Sequence, residues 1–284
     1  MFENLHPIVN IFLLSFVASL GTTLGGFIAI IRRPGKRSYG FLMGITAGVM
    51  ICLAFLELVQ KSIQMSDWIT ATIGFGLGAI VMFLLDFFLP HIRFGVREVR
   101  HEQHALRNQD LTDEPGKRKG RNRRRFLNRE GEDLDISLVN TGLLLAIGIS
   151  LHNLPEGIAV GAGYLHNPQF GLFIAAAILL HNIPEGIATA LPLCKAGICK
   201  KDALKVAFLS GLAEPVGALL ASSFLVRFTN LLPGALAFAG GVMVFITLDE
   251  LIPTAHKHGN ANYTALGIIV GSMFVFILTG IFGV

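Results

Sequence analysis

Eight long apolar runs alternate with polar connections along the 284-residue chain, at about 8–31, 39–60, 69–89, 138–163, 170–193, 204–226, 234–253 and 263–283. About 20 apolar residues in a helix span a bilayer core. The pattern predicts eight transmembrane helices and an all-α polytopic membrane protein. Glycine and serine recur within the runs, which suits close helix packing in lipid. The first run lacks a basic flank before it and is long enough to stay in the membrane, so no cleaved signal peptide is expected. One stretch breaks the pattern. Residues 91–135 carry 12 basic and 9 acidic residues and few apolar ones. Such a composition predicts a charged, mobile loop within a single membrane domain spanning 1–284. Its His91, His101 and His104 read as incidental to a solvated segment, and Lys117–Arg125 suits a seat on anionic lipid.

The runs also repeat. Gly48-Val49-Met50 precedes Glu57-Leu58, and Gly241-Val242-Met243 precedes Glu250-Leu251 at the same spacing, 193 positions on. The offset continues without a gap, matching Gly74 to Gly267, Gly78 to Gly271 and Phe83 to Phe276. The first three runs thus resemble the last three. Five crossings, an odd number, separate the second run from the seventh, so equivalent helices point in opposite directions. That is an inverted repeat, an arrangement typical of transporters with a midplane site.

Composition agrees, with 52% hydrophobic residues, 15% charged residues and a mean hydropathy of +0.62. The net charge of +4 matters less than its placement. Of 23 basic residues, 21 fall on alternate connections, leaving Lys61 and Arg227 on the other side. The positive-inside rule places the basic connections, including 91–135, in the cytoplasm of a cell-membrane protein with both termini outside. The basic balance is a topology signal and implies no nucleic-acid partner. Cys52, Cys194 and Cys199 form no disulfide framework, and the last two read as incidental residues near a cytoplasmic connection.

The candidate chemistry is concentrated in a duplicated motif. Leu151 to Ala159 reads LHNLPEGIA and Leu180 to Ala188 reads LHNIPEGIA, each inside an apolar run. Ionisable groups at membrane depth cost about 2.5–3.5 kcal/mol each even on lenient insertion scales, and mark function by default. His152 and Glu156 are i and i+4 and share a helix face with Asn153 close by; His181, Asn182 and Glu185 repeat this. Pro155 and Pro184 withhold a backbone donor, which predicts a kink and freed carbonyls beside these groups. Glu214, followed by Pro215, and Met50 lie near the centres of their runs. Three glutamates close together in a low dielectric repel one another unless a cation joins them. A divalent ion resolves the repulsion, and Glu156 and Glu185 could each bridge two ions. Imidazole, carboxylate and one thioether suit zinc, iron, cadmium and other transition metals better than calcium or magnesium.

Apart from basic residues at run ends, the charged positions within the runs are acidic: Glu57, Asp86, Glu156, Glu185, Glu214, Asp249 and Glu250. That interior suits cations. Glu57 near one end and Asp249 with Glu250 near the other predict a transport pathway, with His256 and His258 just beyond the cytoplasmic pair.

With HNLPEG and HNIPEG, the segment AEPVG at Ala213–Gly217 and LDELIP at Leu248–Pro253, the chain resembles the ZIP (Zrt/Irt-like) metal transporter family. The likeness covers all eight runs, the long loop and the outside termini, and its style is that of prokaryotic members. It implies a 3+2+3 arrangement around a binuclear midplane site. One ion would be held by Met50, His152, Glu156 and Glu185. The other would use Asn153, Glu156, His181, Asn182, Glu185 and Glu214. It further implies import of divalent metal by alternating access, the first, fourth, fifth and sixth helices moving past a scaffold that dimerises. Metal is then the cargo, no prosthetic group is required, and the protein is not an enzyme. Two other classes remain open: an intramembrane metal-dependent hydrolase, for which HExxH is absent, and a metal sensor that binds without flux.

Overall fold

The structure is a computed structural model that describes residues 6–32, 34–88, 125–127 and 133–283. Among the described residues, eight helical rods follow one another: α1 Pro7–Ile31, α2 Lys36–Met65, α3 Trp68–Phe88, α4 Ile136–His166, α5 Pro168–Lys195, α6 Lys200–Leu225, α7 Thr229–Lys257 and α8 Ala261–Phe282. Among the described residues, seven of these are long and apolar enough to cross a membrane; α4, 31 residues long, packs among them. Of the charged loop, only the antiparallel pair Arg125–Leu127 and Asp133–Asp135 is described, a small departure from the all-α expectation. His91, His101 and His104 lie outside the described residues.

Polar caps set where the rods begin. The Asn167 side chain accepts from the Gln169 and Phe170 amides, with Pro168 in the first turn of α5. Asn260 caps α8 in the same way through Tyr263. Asp67 caps α3, accepting from the Thr70 amide at 2.8 Å. This bond, helped by the Thr70 hydroxyl, holds the Asp67 carboxyl below its ordinary value despite slight desolvation. A depressed pKa contributes stability that is present above the unfolded value and lost as pH falls through the folded one. Asp67→Ala is therefore expected to lower the melting temperature in detergent at neutral pH. The gap between variant and parent closes as the pH drops below about 4.

The rods pair α1 with α5, α2 with α8, α3 with α7 and α4 with α6. The contacts are densest within two groups, α1/α4/α5/α6 and α2/α3/α7/α8, with α4 meeting α7 and α5 meeting α2 across the divide. In their most apolar windows α5 is 72% buried and α2 and α7 67%, against 22% for α3 and α8. The first three are therefore central and the last two peripheral, their outward Leu77, Ile80, Phe276 and Ile281 exposed.

Lipid removes the hydrophobic drive between helices, so close van der Waals contact must hold them. Glycines supply it. Gly48 of α2 lies against the Ile268 carbonyl of α8, and Gly241 of α7 against the Phe75 carbonyl of α3. Gly186 of α5 meets the Thr22 carbonyl of α1, and Gly157 of α4 meets the Glu214 carbonyl of α6. Gly25 likewise faces Ile183, and Gly217 faces Leu154.

Two regions differ in closure. Ala29, Ile187 and their neighbours form a packed cluster with Leu42 against it. At the other end, a groove of about 530 Å3 is lined by Ile158, Ala221, Ala235 and Phe238.

Candidate metal centre

Helical spacing puts His152 and Glu156 on one face of α4 and His181 and Glu185 on one face of α5. Both helices continue through their prolines, Pro155 and Pro184, so the expected kink does not break either rod. The break falls in α6. Its regular helix stops at Gly211 and resumes at Ala213, because Pro215 has no N–H to offer the Gly211 carbonyl. Glu214 sits in the first turn of the resumed helix, fully buried. The Gly157 and Gly186 contacts then draw α6 and α1 against the two motifs.

The side chains converge. His152 Nε2 lies 3.1 Å from Glu156 Oε1 and 3.1 Å from Glu185 Oε1. His181 Nε2 lies 2.8 Å from the same Glu156 oxygen. Ligand atoms of His152, Glu156 and Glu185 all fall within 4.8 Å of one another. Two atoms bound about 2.0–2.1 Å from zinc stand roughly 3.3 Å apart in a tetrahedron. The observed separations are therefore close to the edge of a coordination polyhedron. Asn182 spends both amide hydrogens, one on Glu214 Oε2 at 2.9 Å and one on the Ala18 carbonyl at 3.2 Å. Asn153 donates to the Ser210 carbonyl at 3.1 Å.

What remains unpaired is informative. Asn153 Oδ1, Asn182 Oδ1, Glu156 Oε2, Glu185 Oε2 and Glu214 Oε1 are buried without a hydrogen-bond partner, and Glu185 Oε1 has the His152 imidazole 3.1 Å away without an aligned hydrogen bond. Native interiors rarely strand such atoms. Here they are oxygen acceptors beside two imidazoles, a set that fits a cation.

Met50 is fully buried on α2, its sulfur 3.6 Å from the Thr247 hydroxyl of α7, which donates to the Met243 carbonyl at 2.7 Å. One turn earlier Thr46 donates to the His181 carbonyl at 3.2 Å, tying α2 to the motif of α5. Glu250 is half-buried and within electrostatic reach of His152, Glu185, Asp249 and Asp86. Asp249 and His256 are exposed, and the His258 side chain lies outside the described residues. Glu57, buried, stands apart from the cluster, about 10 Å along α2 from Met50, and accepts from the Thr279 hydroxyl of α8 at 2.7 Å.

The sequence reading missed two backbone features. Leu53–Val59 and Thr247–Leu251 wind as π-helix, and they carry Glu57 and Glu250. Isolated π turns often occur at functional sites. The shared Glu-Leu spacing, 193 positions apart, was the available signal.

Residues 95–279 match the sequence profile of the family described as ZIP zinc transporter. A zinc transporter ZupT of Clostridium perfringens is 35% identical over 283 residues, covering 95% of this chain and 94% of the relative. The ZupT of Akkermansia muciniphila is 36% identical, with 95% and 97% covered. Zinc transporter ZTP29 of Arabidopsis thaliana is 35% identical over 261 residues, with 91% and 89% covered. The profile covers well over half of the chain, the relatives align along nearly all of it, and the chain belongs to the ZIP family.

Proposed function

We propose that this chain imports divalent transition-metal ions into the cytoplasm, zinc foremost and also iron, manganese and cadmium, by alternating access. The observation that carries the proposal is the buried set of partnerless carboxylate and amide oxygens beside His152 and His181, between two groups of apolar helices. Relatives named as zinc transporters support the choice of cargo.

In this reading Met50, His152, Glu156 and Glu185 hold one ion. Asn153, His181, Asn182 and Glu214 hold a second, with Glu156 and Glu185 bridging. All eight rods cross the membrane, with both termini outside and the charged loop of residues 91–135 in the cytoplasm, a topology that the placement of the basic residues supports. Glu57 lies toward the outer side, and Asp249, Glu250, His256 and His258 toward the cytoplasm. The group α1/α4/α5/α6 carries the site past the scaffold α2/α3/α7/α8, and two copies associate through the scaffold.

The inverted repeat is supported by packing. Adding 193 to Gly48 gives Gly241, and subtracting 193 from Ile268 gives Phe75; both contacts exist. The Gly25–Ile183 and Gly186–Thr22 contacts correspond likewise to Gly217–Leu154 and Gly157–Glu214, with the α1 residues shifted by 192 and the α5 residues by 29. The two π segments fall at equivalent places.

Uptake into proteoliposomes, with zinc, iron(II), manganese and cadmium in competition, tests the proposal. Saturable uptake in which zinc competes best is expected. Tight binding with no flux under any gradient would turn the reading to a sensor.

A further inference from the structure

Lys61 is out of place for a cation importer. It is one of only two basic residues assigned to the outer side, and it sits in the mouth of the predicted path. A surface cavity of about 360 Å3 is lined by Glu57, Gln60, Lys61, Gln64 and Thr279. Lys61 follows Glu57 by four residues and lines the same cavity, but the two make no ion pair, and the carboxylate accepts from the Thr279 hydroxyl instead. The Lys61 ammonium does not extend freely into water. Nζ stands 5.3 Å from the centre of the Phe170 ring, and Phe170 is fully buried on α5. Over an aromatic face a lysine keeps its charge and gains a cation–π contact. His166, past the last apolar turn of α4, also feels Lys61. Burial first, and then this ammonium, hold its imidazole below the ordinary value.

We propose that the Lys61 ammonium, seated over Phe170 in the cavity it shares with Glu57, guards that carboxylate, and that an incoming hydrated divalent cation reaches Glu57 by displacing the ammonium from the cavity. The inference rests on the transport reading and adds an outer capture step to it. With Lys61 moved aside, the cavity offers one carboxylate, the Thr279 hydroxyl and the side-chain carbonyls of Gln60 and Gln64. That is an all-oxygen set of low charge, which binds a divalent ion weakly enough to pass it on. Displacement also ends the Lys61–Phe170 contact, which joins α2 of one helix group to α5 of the other. Arrival of the ion at the mouth thus loosens a tie across the line along which the groups separate.

The test is zinc uptake by the full chain in proteoliposomes, read as KM and Vmax separately, for Lys61→Gln, Glu57→Gln and the double variant. Lys61→Gln is expected to lower KM roughly tenfold at low ionic strength, less at high salt because exposed charges are screened, with Vmax little changed. Lys61→Arg, which keeps the charge, restores the original KM. In the Glu57→Gln background, removing the Lys61 charge has no further effect on KM, as a direct coupling requires. An unmoved KM in Lys61→Gln, or the same shift with Glu57 already neutral, overturns the inference while leaving transport intact. Absence of uptake by the unaltered chain overturns both readings.

Discussion

Replacing Glu156 and Glu185 together by glutamine abolishes metal uptake and leaves a folded protein. Glutamine keeps the shape of glutamate, so the α4–α5 packing is retained. It removes two negative charges from a site where His152 Nε2 stands 3.1 Å from an oxygen of each residue. Altering groups that merely support a metal ligand typically costs 10–100-fold in affinity. Loss of the two carboxylates proposed to bridge the ions is therefore expected to reduce uptake more than about 100-fold. Two measurements separate chemistry from misfolding. The variant elutes as a single species with the parent's helical circular dichroism, and zinc no longer raises its melting temperature as it does for the parent. Binding to the folded state alone predicts such a rise, about 2.7 kcal/mol of stabilisation at a hundredfold excess over Kd. Retained uptake would move the site elsewhere.

Gly186→Val produces the second large effect, by a different route. A Cβ at position 186 meets the Thr22 carbonyl of α1, backbone that cannot rotate away. The α1–α5 contact is the most extensive among the described helices, so the helices must separate along much of their length. Overpacking of this kind costs about 1–3 kcal/mol, and occasionally more. The expected result is a lower melting temperature and weak uptake, with metal ligands unaltered. Gly76→Ala is the control. Nothing lies within 4 Å of a Cβ there, and alanine favours the helix by about 0.5–1 kcal/mol. Its melting temperature is expected to be unchanged or slightly higher.

The sequence made some of this legible and hid the rest for physical reasons. Charged groups are so costly in an apolar run that His152, Glu156, His181, Glu185 and Glu214 stood out, and i, i+4 spacing told which shared a face. Helix ends were less visible. The fourth run was expected at 138–163 and the helix extends over Ile136–His166; the seventh was expected at 234–253 and its rod covers Thr229–Lys257. Hydropathy marks the depth of lipid, whereas caps such as Asn167 mark the end of hydrogen bonding, and polar turns lie between the two. Contacts between distant helices left little trace. Thr247 reaches Met50 across 197 positions, and Thr46 reaches the His181 carbonyl across 135. Each of these hydroxyls also reaches its own helix, Thr247 to the Met243 carbonyl at 2.7 Å and Thr46 to the Leu42 carbonyl at 3.4 Å, so a threonine in an apolar run reads as satisfied locally. The π segments depend on one extra residue per turn, which no hydrophobic period reveals.

The packed cluster and the open groove are counterparts. On the repeat proposed above, Ala29, Leu42 and Ile187 correspond to Ala221, Ala235 and Ile158, so the closed joint and the 530 Å3 gap are one piece of architecture caught at two settings. On the proposed alternating access, exchanging the settings between the halves would give the opposite-facing conformer from contacts of a kind the chain already makes, with Ile158 closing onto Ala235 as Leu42 withdraws from the Ile187 cluster. On that proposal the second half would carry the blueprint of the state the first half is not in.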